Sequence, residues 1–259
     1  MCTAVILRRP HHNWPVIFAA NRDELRSRPW RPPGRHWEDR PDVVAGQDEA
    51  AGGSWLGLND HGVIAAILNR EGSLGPQTDK RSRGELVLEA LDHADAAEAA
   101  EQLRHLDARA YRSFNLLIAD NRDGFWLRNQ GRESGSHEAR DVEIFRLPEG
   151  LSMFTSLNRN DPESARTRRH LPDLQTALAP EPDLDDWEAW QDILKRRADQ
   201  DPGDGMVVER GNGFETVSSS LIALPAPGRQ VAGEAVKPQW LFAPGFPDQC
   251  HYVPIDVNV

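Results

Sequence analysis

Hydrophobic and polar positions along the chain follow two periods. Residues 3–7 (TAVIL) are apolar with β-branched members, and residues 16–20 (VIFAA) form a second apolar run. Both read as buried strands, with residues 10–15 as the turn between them. Residues 26–41 then carry four prolines, and regular structure is not expected there. Residues 54–58 and 63–68 read as a hairpin about Asn59-Asp60-His61-Gly62, whose Asn, Asp and Gly suit a tight turn.

The middle of the chain shifts to a helical period. Ser82-Arg83-Gly84-Glu85 has capping-box spacing, followed by Leu86, Val87, Ala90 and Leu91 on one face. Asp95 and Glu98 open a second helix. Residues 114–119 and 125–128 predict a hairpin about Asn121-Arg122-Asp123-Gly124, and residues 142–147 and 151–155 continue the strands. Pro162 marks a helix start, for a helix over about 163–178 that is expected to break near Pro172. A further helix covers 185–198, with Trp187 and Trp190 on one face. Strands return at 216–224, 240–242 and 252–257. Strand-rich ends around central helices predict an α+β chain of large sheets covered by helices, in one domain over 1–259.

Composition narrows the function. The 259 residues hold 30 Lys+Arg against 41 Asp+Glu, a net charge of −11. That balance argues against a general partner among nucleic acids or anionic membranes. The 39% hydrophobic and 27% charged content suits a soluble globular protein. Two cysteines, Cys2 and Cys250, are too few for a disulfide framework or a cysteine zinc site. The first apolar run is five residues, short of a secretory or membrane-spanning segment, so a cytoplasmic location is expected. The chain lacks a zinc HExxH motif, a P-loop and a dinucleotide GxGxxG. No metal or resident cofactor is expected, and no feature sets an oligomeric state.

Cys2 is the first candidate for chemistry. Removal of Met1 would leave a cysteine carrying both a thiol nucleophile and an α-amine able to act as a base near neutral pH. Asn21-Arg22-Asp23-Glu24 is the second. It follows VIFAA directly, so Asn21 and Asp23 share a face if the strand continues, while Arg22 points the other way.

MCTAVIL and AANRDELRSRP resemble the NRDE-domain family, relatives of the transport and Golgi organisation protein two. Gly52 to Asn69 (GGSWLGLNDHGVIAAILN), Ser82-Arg83-Gly84, Phe114-Asn115-Leu116-Leu117 and Ser218-Ser219-Ser220-Leu221 extend the likeness in order over most of the chain. That family is grouped with N-terminal-nucleophile (Ntn) hydrolases, so the resemblance implies an α+β, four-layer αββα sandwich. Comparison with bile-salt and penicillin V acylases of that superfamily implies site roles residue by residue. Cys2 matches their nucleophile, Asp23 their catalytic aspartate, and Asn21 the asparagine before it. Asn69 matches their oxyanion asparagine and Asn158 their later asparagine. Those acylases also carry an arginine three residues before the aspartate, where this chain has Ala20. Their late arginine has no counterpart in Glu215-Thr216-Val217-Ser218. The cationic part of the site is therefore expected to be missing or rearranged.

The proline-rich stretch supplies a ligand expectation. Arg26, Arg28 and Arg31 alternate with Trp30 and Trp37, and with Arg22 they suit a small anionic amphipathic molecule. Two functions follow. One is a cysteine amidohydrolase acting on a small amphipathic amide. The other is a non-catalytic carrier of an amphipathic ligand, for which the resemblance implies haem or acyl-CoA; His11, His12 and His36 are the histidines considered as haem ligands.

Overall fold

The computed structural model describes residues 2–131, 141–199 and 201–257. In chain order the first strands are β1 (Thr3–Arg8), β2 (Val16–Leu25), β3 (Trp30–Gly34), β4 (Val43–Asp48), β5 (Leu56–Asn59) and β6 (Ile64–Asn69). Helices α1 (Gly84–Leu91) and α2 (Ala96–Leu103) follow, then β7 (Phe114–Ala119), β8 (Gly124–Asn129), β9 (Glu143–Arg146) and β10 (Gly150–Phe154). Helices α3 (Ala165–Thr176) and α4 (Glu188–Leu194) precede β11 (Phe214–Leu224), β12 (Gln230–Val231), β13 (Glu234–Ala235), β14 (Gln239–Ala243) and β15 (Val253–Pro254). Of the described residues, 2–28 and 149–257 form one compact unit, and 29–131 with 141–148 form another.

The first unit holds a six-stranded antiparallel sheet in the order β10-β1-β2-β11-β14-β15. The apolar runs of β1 and β2 place them inside the sheet, and β11 is buried at all eleven positions. Helices α3 and α4 cover one face, where Val5, Ile17, Ala19 and Leu221 pack with Leu174, Trp187, Trp190 and Leu194. Two expectations change here. Strand β2 does not stop at Ala20 but continues through the charged string to Leu25. Helix α3 runs through Pro172 instead of breaking there. The proline removes one helical N–H, yet the turn beyond it is anchored by buried Leu174.

The second unit is a seven-stranded antiparallel meander, β3 to β9 in sequence order. Its core joins Val43, Ala45, Ala65 and Ile118 of the sheet to Leu86, Val87 and Leu91 of α1 and Ala99 and Leu103 of α2. The Asn59–Gly62 hairpin forms as predicted, with Gly62 at φ 86°. Asp95 caps α2, accepting from the Glu98 N–H at 2.7 Å. The capping box at Ser82 does not form: α1 begins after Arg83 with no side-chain cap. The glycines serve a close approach instead, since a Cβ on Gly53 would lie 2.5 Å from the Gly84 carbonyl carbon. The proline-rich stretch is partly regular as well. Trp30–Gly34 is an edge strand whose register shifts between Arg31 and Gly34, and an edge tolerates prolines because one side has no ladder to complete. Among the described residues, no helix is long and apolar enough to cross a membrane.

Candidate active site

The β1–β2 register pairs Thr3 with Asn21 and Ala4 with Ala20. One further step brings Cys2 level with Arg22. Because side chains alternate along a strand, Cys2, Ala4, Ala20 and Arg22 share one face of the sheet, and Thr3, Asn21 and Asp23 share the other. The helix-covered face is the second one, since Val5 and Ala19 pack in the α3–α4 core.

Cys2 is half-buried, and its thiol donates to the backbone carbonyl of Asp23 at 3.7 Å. Burial pushes the thiol pKa up, the nearby Asp23 charge raises it further, and Arg22 acts in the opposite direction. Arg22 lies two residues beyond Ala20 on the same face of β2 and is almost fully buried at 6% exposure.

The Asp23 carboxylate is held from two directions. Its Oδ1 accepts from the Thr216 hydroxyl at 2.6 Å, and its Oδ2 accepts from Arg166 Nη1 at 3.2 Å. The same Arg166 nitrogen donates to the hydroxyl of Thr3. Thr216 in turn accepts from the Val208 N–H at 2.9 Å. It reaches Asp23 because the β2–β11 register shifts between Thr216 and Ser218. That bulge turns Thr216 to the Asp23 side, whereas Ser218 pairs with Arg22.

Asn21 is fully buried and its polar atoms are occupied. Its amide donates to the Leu194 carbonyl at 2.9 Å and the Met206 carbonyl at 3.0 Å, and its oxygen accepts from Ser219 at 2.6 Å. The Tyr252 hydroxyl lies 2.7 Å from Ser219 Oγ, and burial raises the phenol pKa. Asn158 lies on the chain leaving β10, whose last residue, Phe154, pairs with Ala4. Its carbonyl accepts from the Asp161 N–H at 3.3 Å. Asn69 ends β6 in the second unit, opposite Phe114, and the adjoining Arg70 donates to Asn115 Oδ1 at 2.8 Å.

The arginines and tryptophans of the proline-rich stretch already have protein partners. Arg26 forms a two-pronged pair with Glu215 at 2.6 Å, Arg28 approaches Glu24 at 3.9 Å, and Arg31 pairs with Glu49 at 2.7 Å. Trp30 meets Trp55 edge-on, and the Trp37 indole donates to the Gly52 carbonyl at 3.1 Å. His12 Nδ1 accepts from the Trp14 N–H at 3.1 Å, and His36 Nε2 sits 2.8 Å from the Pro32 carbonyl. No cluster of metal-ligating side chains occurs among the described residues.

Sequence reasoning finds Cys2, Asn21, Arg22 and Asp23, and the structure brings these four together on adjoining rungs. It misses Arg166, Thr216 and Ser219. Arg166 stands in a basic string, ARTRRH, that reads as a solvated helix face. Thr216 and Ser219 are small polar residues in a long strand. Only the pairing of distant segments gives either one a partner.

The family described as Transport and Golgi organisation 2 matches residues 1–202. The chain belongs to the Transport and Golgi organisation 2 family. The human Transport and Golgi organization protein 2 homolog is 36% identical over 111 residues, covering 40% of this chain and 38% of the human protein. The mouse homolog is 33% identical over 110 residues, with the same two shares. The match therefore spans about two fifths of these relatives' length. Two solved structures extend the likeness of this Transport and Golgi organisation 2 family member to its fold. The Caenorhabditis elegans N-acylethanolamine-hydrolyzing acid amidase ortholog has a TM-score of 0.55 at 13% identity, over 88% of this chain and 94% of that one. A variant of the conjugated bile acid hydrolase from Clostridium perfringens has a TM-score of 0.55 at 10% identity, over 100% and 94%. At such identities the likeness is one of fold. The chain has the α+β Ntn-hydrolase fold that its sequence resemblance implies.

Proposed function

We propose that this family member is a cysteine amidohydrolase acting on a small amphipathic amide. The observation carrying this reading is the Cys2 thiol on the Asp23 carbonyl, with the Asp23 carboxylate clamped by Arg166 and Thr216. With Met1 removed, the Cys2 thiolate attacks the amide carbon and the C–N bond breaks. The leaving amine takes its proton from the Cys2 α-ammonium, and water then hydrolyses the thioester to a carboxylic acid and the free thiol. Asp23 orients the Cys2 terminus, Asn21 frames β2, and Asn158 supplies an amide donor to the developing oxyanion, roles carried over from the acylase resemblance. On the Cys2 face of β2, Arg22 receives the anionic part of the substrate. A cytoplasmic setting, which keeps Cys2 and Cys250 reduced, fits two free cysteines.

A second reading, a carrier of haem or acyl-CoA, has one observation in its favour. The thiol is held above its ordinary pKa, and a protonated thiol is a poor nucleophile. One experiment separates the two. Intact mass shows whether Met1 is lost, and a panel of N-acyl amides is then tested with wild type and Cys2→Ala. Hydrolysis that disappears in Cys2→Ala supports the enzyme. Retained Met1 with no turnover, and haem or acyl-CoA binding unchanged in Cys2→Ala, supports the carrier.

A further inference from the structure

Helix α3 contributes a cation to the Cys2–Asp23 pair that no motif in the chain announces. Arg166 lies in its first turn, just after the Ser164 cap that accepts from the Thr167 N–H at 3.2 Å. Its guanidinium side chain is 6% exposed, and the Asp23 side chain it meets is 0% exposed. One nitrogen serves two acceptors: the Asp23 carboxylate at the end of β2, and the hydroxyl of Thr3, the residue after the nucleophile. A buried carboxylate either finds a countercharge or takes up a proton.

We infer that Arg166 is a positioning residue, which holds the Asp23 carboxylate and fixes Thr3, and so sets both the place and the electrostatic surroundings of the Cys2 thiol. This rests on Cys2 being the reactive group of the proposed hydrolase. Among the described residues, the charged groups facing the site include Arg22 from β2, Arg166 from α3 and Asp23 itself, and with Met1 removed the Cys2 α-ammonium joins them. From β11, Thr216 contributes a hydroxyl, while the Glu215 carboxylate is held by Arg26. His170, four residues beyond Arg166 in α3, is kept neutral by burial. Without Arg166, the Asp23 charge would be less compensated. It would then act more strongly against thiolate formation.

The test reads thiol reactivity, not turnover. The pH dependence of Cys2 alkylation by iodoacetamide is followed by peptide mass spectrometry in wild type, Arg166→Gln, Arg166→Lys, and Arg166→Gln combined with Asp23→Asn. In Arg166→Gln the expected result is an upward shift of the midpoint by about one pH unit, with about tenfold slower labelling below it. Arg166→Lys keeps the charge and restores most of the wild-type profile. The double variant removes the Asp23 effect altogether. A profile of Arg166→Gln that superposes on wild type overturns the inference, as does a shift that persists undiminished in the double variant. Should Arg166→Gln fail to fold, Arg166→Lys against Arg166→Lys with Asp23→Asn carries the same comparison, with identical profiles overturning the inference. The labelling needs no substrate, so absent hydrolysis in wild type overturns the enzyme reading alone.

Discussion

Asp23 and Thr216 face each other because β11 carries one extra residue, Val217, between two rungs of its ladder with β2. In a regular strand Thr216 and Ser218 would share a face. The bulge separates them, giving the Asp23 carboxylate a hydroxyl and the Arg22 rung a serine. Thr216 also accepts the Val208 N–H, so its oxygen links β11, the preceding loop and the candidate site. Thr216→Val is expected to lower stability by about 1–3 kcal/mol, with Thr216→Ser recovering most of it. Urea unfolding midpoints decide this, and equal midpoints for all three proteins would contradict it.

Asn21 behaves as a brace. Its amide satisfies two backbone carbonyls, Leu194 and Met206, that belong to segments more than 170 residues away. Asn21→Asp presents an oxygen to those carbonyls and leaves both without a donor. The expected cost is about 1–3 kcal/mol for each orphaned group, with faster amide exchange around residues 194–206. Exchange in that stretch equal to wild type would mean the brace is dispensable.

His170 makes the fold sensitive to acid. It is fully buried, its Nε2 sits 2.7 Å from the Asp204 carbonyl, and desolvation lowers its pKa to about 4. In the unfolded chain it titrates near 6.5. Its stabilising contribution is complete above pH 6.5 and is lost as the pH falls from there to about 4, where the folded protein also takes the proton. The loss is on the order of 3 kcal/mol. Urea unfolding at pH 7, 5.5 and 4.5 should show the decline in wild type and a flatter one in His170→Gln.

Gly53 lies against the start of α1, where a Cβ would fall 2.5 Å from the Gly84 carbonyl carbon and 2.8 Å from the Glu85 nitrogen. Backbone cannot yield as a side-chain tip does. Gly53→Ala is expected to cost about 1–3 kcal/mol, seen as a lower unfolding midpoint, whereas Gly52→Ala meets nothing within 4 Å and is strained only by its φ of 75°.

Much of this architecture is legible locally. The β1–β2 hairpin, the Asn59–Gly62 turn and the Asp95 cap follow from short-range chemistry, and each stands where its residues put it. The charged string after VIFAA shows where local reading stops. Asn21, Arg22 and Asp23 are 0%, 6% and 2% exposed, a burial that polar residues sustain only with partners. Those partners, Leu194, Met206, Thr216 and Arg166, arrive from segments more than 140 residues downstream, beyond the reach of any window on periodicity. Val43–Asp48 escapes local reading for a different reason: its buried start gives way to Gln47 and Asp48 too soon to show a clear alternation.

The order of segments in the first unit has a consequence for synthesis. Strands β1 and β2 emerge before their neighbours β10 and β11, which begin at Gly150 and Phe214, with the whole second unit made in between. An isolated two-stranded hairpin is marginally stable in water. The segment bearing Cys2 and Asp23 therefore waits, without a settled frame, while most of the chain is translated. A segment made well before its partners is thus among the last to acquire its chemistry, and a truncation before β11 leaves the aspartate without its Thr216 hydroxyl.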